Sequence, residues 1–156
     1  MKDERQLDDI DRKILQTLLN NGRLPNAAVA KRVNIAESTC YERVQYLIKS
    51  GVIKGFHTRV DMSALGRPIR AVALLKVRSG FRDQLLQEAQ RLSGVEGVIR
   101  VLFLAGTHDL MVEFAVASSN DLRDFVVNEL NSSEAVADTA TSVVMEALEG
   151  SKLSQA

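Results

Sequence analysis

Residues 26–51, NAAVAKRVNIAESTCYERVQYLIKSG, followed at once by Val52-Ile53-Lys54-Gly55-Phe56-His57-Thr58-Arg59-Val60, decide the fold. Two short amphipathic helical patterns, a tight turn between them and then a brief alternating segment with a glycine read as a winged helix-turn-helix. Pro25-Asn26 opens the first helix, where Ala27, Val29, Ala30 and Val33 are small or apolar and Lys31 and Arg32 face water. The turn carries Asn34, a residue type that tolerates the left-handed conformation such turns need. The second helix is expected over residues 37–49. At about 100° per residue, Cys40, Val44, Leu47 and Ile48 share one face, while Ser38, Glu42, Gln45 and Lys49 lie opposite with Thr39 and Tyr46 flanking them. Such hydroxyls, amides and charges can bond base edges or phosphates, although a merely solvated helix face has the same composition. Arg43 sits at the edge of the apolar stripe, where a phosphate contact and an ion pair with an acid of the preceding helix, such as Asp11, both fit. Cys40 points inward as a small buried hydrophobe.

Working outward, Leu7, Ile10, Ile14, Leu15 and Leu18 recur at helical spacing, with Asp8 able to cap the start and Asn20-Asn21-Gly22 ending the run. After Gly51, a short hairpin or wing is expected from Val52, Ile53 and Phe56, with Gly55 permitting the bend. Lys54, His57 and Arg59 on it can touch phosphates. These elements make a first domain over residues 1–60. A linker over 61–70 follows, punctuated by Gly66 and Pro68. Residues 71–156 then read as strand 71–77, helix 81–92, strands 98–104 and 110–116, helix 121–130 and strand 139–148. That βαββαβ order is the ferredoxin-like arrangement, so the fold class is α+β. Apolar side chains crowd both faces of these strands, so helices should cover one face and another subunit the other.

Charge separates the two halves. The net charge is zero, yet residues 1–60 hold 11 Lys/Arg against 7 Asp/Glu and residues 61–156 hold 9 against 13, balances of +4 and −4. Five of the seven N-terminal acids fall in the first eleven residues, so residues 12–60 carry nine bases against Glu37 and Glu42, a local +7. Such a field attracts a phosphate backbone, and double-stranded DNA is the expected partner. Cys40 is the only cysteine, which excludes a disulfide framework and a thiolate metal cluster and suits a reducing, cytoplasmic setting. The first twenty residues are charged and no run approaches about 18 apolar residues, so neither a signal peptide nor a membrane span is expected.

Between the two central strands lies Ala105-Gly106-Thr107-His108-Asp109. A glycine-containing loop can present free backbone N–H groups beside an acid, which suits a zwitterion; Gly-x-x-Asp between strands is also a common turn. His108 has only His57 for company and no carboxylate or thiol at ligand spacing, so no metal site is expected.

Taken together, Leu7-Asp8-x-x-Asp11-x-x-Ile14-Leu15, Asn21-Gly22-Arg23, Ala30-x-x-Val33, Cys40-x-x-Arg43-Val44-x-x-Leu47, Gly51-Val52-Ile53-x-Gly55-Phe56, Leu65-Gly66 and Gly106-x-x-Asp109 resemble the Lrp/AsnC feast/famine transcriptional regulators over nearly the whole chain. The resemblance implies a DNA-binding regulator that is not an enzyme, with a C-terminal RAM-type domain. It further implies homodimers assembling into octamers or similar rings, and an amino-acid effector in a cleft between dimers, with no other cofactor. DNA contacts would fall on Ser38, Thr39, Glu42, Arg43, Gln45 and Tyr46, joined by Lys49, Lys54 and Arg59. The effector loop would be Gly106, Thr107, His108 and Asp109, with contributions from Ser119, Thr141 and Ser142.

The chain departs from that pattern twice. Ala36 stands where many relatives place a capping Ser, forgoing about 1 kcal/mol and leaving the start of the reading helix open to a shift or fraying, partly offset by Glu37. Ser142 stands where some leucine-responsive relatives carry a bulky aromatic residue, so effector identity is not inherited. Three other readings fit parts of the chain. An architectural nucleoid-type protein would lack an effector response, and an amino-acid-sensing subunit of a metabolic enzyme would not need the basic half. A ferredoxin-like enzyme would need a convergent acid–base set that Cys40 and the two histidines do not supply.

Overall fold

A computed structural model describes residues 5–148; the expected C-terminal domain ran to 156, and its last eight positions lie outside the described residues. The chain divides into two compact units, one ending at Thr58 and one spanning Arg59–Ala147.

The first unit is three helices, α1 (Asp9–Asn20), α2 (Asn26–Val33) and α3 (Glu37–Lys49). Asp8 caps α1 as its sequence suggests: its side chain accepts from the Asp11 N–H at 2.9 Å, and the Asp11 carboxylate accepts from the Asp8 N–H at 3.2 Å. Asn34 ends α2 in the left-handed region at φ 58°, ψ 53°. Ile14, Val29, Ala30, Val33, Cys40 and Leu47 form the core. The lone thiol is fully buried, and that burial raises its pKa. Ala36 provides no side-chain cap for α3. The helix nevertheless starts at Glu37, where it was expected to, and its first bond runs from the Cys40 N–H to the Ala36 carbonyl at 3.0 Å.

Two expectations fail in this unit. Ile48, expected on the inward face, is 39% exposed, since the core is already closed by Leu47 beside it. No hairpin forms after Gly51 among the described residues. Gly51 turns the chain at φ 78°, and the Ile53 N–H donates back to the Leu47 carbonyl at 2.9 Å. Val52-Ile53 therefore closes the helix end. Residues 54–60 continue as an exposed single stretch, with the Phe56 ring beside Gly22, where a methyl would sit 3.1 Å from it.

The second unit carries β1 (Ile69–Val77), a 3-10 turn (Ser79–Gln84), α4 (Leu85–Ser93), β2 (Val98–Phe103), β3 (Leu110–Val116), α5 (Ser119–Phe125) continuing as a π turn (Val126–Leu130), and β4 (Val136–Val143). The sheet is antiparallel, in the order β2-β3-β1-β4. Ala71, Ala73, Leu75, Leu110, Val112 and Phe114 form its inner face, against which Leu92, Phe125 and Leu130 of the helical layer pack, with the Phe114 and Phe125 rings stacked 4.1 Å apart. Across the sheet, Arg70 and Arg100 hold the buried Glu113 carboxylate between them, the latter at 2.6 Å.

Pairing moves several expected boundaries. Ile69 and Arg70, placed in the linker, pair with Val116 and Ala115 as the start of β1. The last strand runs over Val136–Val143 rather than 139–148, because its register against β1 ends at Ala71↔Val143. Met145 and Leu148, apolar enough to read as strand, are left 94% and 88% exposed. The helix expected from residue 81 begins as the 3-10 turn, with no side-chain cap at Arg78.

Candidate nucleic-acid interface and ligand loop

Helix α3 supplies the first candidate site. Ser38, Thr39, Glu42 and Lys49 are exposed on it and Gln45 is partly so. Arg43 and Tyr46 are differently placed. The Arg43 guanidinium donates to Asp8 at 2.6 Å and to Asp11 at 2.9 Å, the ion pair that was one of the two roles its sequence position allowed. Arg5 donates to the other oxygen of Asp11 at 2.6 Å and lies over the Tyr46 ring, 4.8 Å from its centroid. The Tyr46 hydroxyl in turn accepts from the Arg5 N–H at 3.2 Å.

Asp11 is wholly buried, so this network exists to compensate one carboxylate. Isolated, such a charge would cost several kcal/mol; two guanidiniums and a backbone N–H satisfy it here. The same network holds the Asp8 carboxyl down at about 2, chiefly through the Asp11 N–H and then the Arg43 guanidinium, and raises Arg43 above its ordinary value. Tyr41, which the sequence reading did not single out, is 57% exposed on α3. Lys54 and Arg59 are exposed on the extended stretch after the helix.

The loop between β2 and β3 supplies the second. Its backbone is pinned at both ends: the Leu104 N–H donates to the Asp109 carbonyl at 2.9 Å, and the Asp109 N–H donates to Leu75 at 2.8 Å. The Asp109 side chain accepts from the Val77 N–H at 2.8 Å, where β1 breaks register, and its other oxygen lies 4.0 Å from Arg82. Between those anchors, the N–H groups of Gly106, Thr107 and His108 have no hydrogen-bond partner among the described residues. His108 and Thr107 touch each other, Nδ1 to Oγ1 at 3.2 Å.

The remaining expected effector residues do not join this loop within one chain. Ser119 lies beyond the far end of β3, whose seven residues span roughly 20 Å. Ser119 opens α5, whose cap is Ser118: the Ser118 hydroxyl oxygen accepts from the Asp121 N–H at 3.2 Å. Thr141 and Ser142 pair with Ala73 and Val72 and so point to opposite faces of the sheet. The Thr141 hydroxyl is buried on the helix-covered side without a partner, as is that of Thr139. A cleft of about 740 Å³ opens at the α5 end, lined by Arg67, Glu96, Asp121, Asp124 and Glu129 among others; none of the expected effector residues lines it. Among the described residues, no group of His, Cys, Asp and Glu could hold a metal ion, and no helix is long and apolar enough to cross a membrane.

Known proteins match both units. Residues 7–54 match a family described as winged helix-turn-helix DNA-binding, and residues 70–153 match the Lrp/AsnC ligand binding domain. The HTH-type transcriptional regulator AldR of Mycobacterium tuberculosis is 41% identical over 145 residues, 93% of this chain and 81% of that protein. The crystal structure of MtbAldR superposes with a TM-score of 0.74 at 38% identity, covering 92% of this chain and 98% of that one. A Neisseria meningitidis transcriptional regulator solved as an L-Met complex has the same fold, with a TM-score of 0.82 at 24% identity over 93% of this chain and 94% of that one. An N-terminal helix-turn-helix with an exposed polar reading face, joined to a β2-β3-β1-β4 domain matched by its own family over residues 70–153, places this chain in the Lrp/AsnC family of transcriptional regulators.

Proposed function

We propose that this chain is a sequence-specific transcriptional regulator whose DNA binding answers to an amino acid held at the Gly106–Asp109 loop. The observation that carries the effector half is the run of unpartnered N–H groups at Gly106, Thr107 and His108, held open by the anchors on either side. Adjacent backbone donors suit a carboxylate, and the Asp109 oxygen not used by Val77 offers an acceptor for an ammonium. The L-Met complex of the Neisseria protein supports an amino acid as the class of ligand. Ser119, some 20 Å away along β3, can join this loop only from a second copy of the chain. The outer sheet face, with Val72, Leu74 and Met111 partly exposed around the Glu113 pair, supports self-association into dimers and rings. An effector bridging copies would then shift assembly and with it the half-site spacings the helices span.

A thermal-shift screen of the twenty amino acids against the full chain tests this. At least one is expected to raise the melting temperature, and Asp109→Asn, which keeps an acceptor for Val77 but removes the charge, is expected to abolish that rise. A flat response to all twenty would remove the amino-acid reading. Competition between selected and random duplexes tests the DNA half separately; equal competition would point to an architectural role.

A further inference from the structure

We propose that Tyr41 is a specificity-determining residue of the DNA interface, its ring packing on the C5-methyl group of a thymine in the major groove. The inference rests on the reading of the first unit as a DNA binder and adds which base one side chain recognises. Helix α3 carries two tyrosines, and their surroundings are opposite. Tyr46 is committed to the fold: Arg5 covers its ring and the Arg5 N–H donates to its hydroxyl. Tyr41 has no hydrogen-bond partner among the described residues and is 57% exposed.

Position and chemistry then agree. Tyr41 is the fifth residue of the thirteen-residue helix, in the N-terminal half that a helix-turn-helix presents to base edges. Ser38 and Gln45 lie one turn before and after it on the same side, and Ile48, 39% exposed, continues that flank two turns on. The polar members of this face can read donors and acceptors. Thymine is distinguished in the major groove by its methyl group, which needs an apolar surface, and Tyr41 supplies the largest one on the helix. The helical unit keeps a positive balance, ten bases against five acids over residues 5–60, which favours a polyanion on this face over an apolar protein partner.

The test uses the full chain. Duplexes selected by it from a random pool are resynthesised with each thymine in turn replaced by uracil, which removes only the methyl. Wild type is expected to lose about fourfold in affinity at one thymine per half-site. Tyr41→Ala is expected to bind the thymine and uracil forms equally, and Tyr41→Phe to keep the fourfold preference. A wild type indifferent to every uracil, or a Tyr41→Ala variant as sensitive as wild type, overturns the proposal. Loss of oligomer size in Tyr41→Ala with the uracil effect unchanged overturns it in favour of a protein contact. If the pool yields no enriched sequence, sequence-specific DNA binding itself fails, an outcome distinct from the others.

Discussion

The reading helix and the β2–β3 loop use their residues in reverse ways. On α3 the backbone is consumed by the helix and the side chains of Ser38, Gln45 and Lys49 stand free. In the loop, one oxygen of the Asp109 side chain is consumed by the fold while the N–H groups before it stand free. One site offers side-chain variety on a rigid rod, which suits discrimination among bases. The other offers the same backbone donors whatever the residues, which suits a carboxylate common to all amino acids.

The largest expected effect breaks the rod. Asp11→Ala removes charged hydrogen bonds from Arg5, Arg43 and the Asp8 N–H, leaving Arg43 only Asp8, and should cost about 3 kcal/mol, seen as early urea unfolding of the helical unit. Next, Asp109→Ala should destabilise the sheet unit by about 1–2 kcal/mol through the orphaned Val77 N–H, while Asp109→Asn should not. That difference separates the anchor from the charge. Lys49→Ala and Lys54→Ala should each lower the slope of log affinity against log salt by about 1, whereas a helix that meets no phosphate would leave it unchanged. Ala36→Ser should add a cap to α3 and stabilise by about 1 kcal/mol, measured by thermal melting.

The smallest effect is a pH dependence. Asp8 titrates at about 2 rather than 3.8, so its pairing contributes in full above 3.8 and is lost as pH falls towards 2. The stability gap between wild type and Asp8→Ala should narrow over that window in urea titrations; a constant gap would mean the pairing contributes nothing.

What could be read in the residues was local chemistry. The Asp8 cap, the left-handed Asn34, the uncapped Ala36 and the βαββαβ order all depend on neighbours a few positions away. What could not be read depends on distant partners. Tyr46 is set apart from Tyr41 by Arg5, 41 residues earlier, and Asp109 is occupied by Val77, 32 residues earlier. The end of β4 is decided by where β1 stops, not by the apolar Met145 and Leu148 that follow. Periodicity carries no information about such pairings: it put Arg43 at the edge of the apolar stripe and Tyr46 on the flank of the polar face without showing what holds either.

The network around Asp11 also has an entropic side. Arg43 and Tyr46 are long side chains on the reading helix, and ordering each at an interface would cost about 1 kcal/mol of lost rotamer freedom. Both are already immobilised in the free protein, by Asp8, Asp11 and Arg5. That ordering cost is met during folding, so neither side chain has much rotamer freedom left to lose if α3 meets a partner.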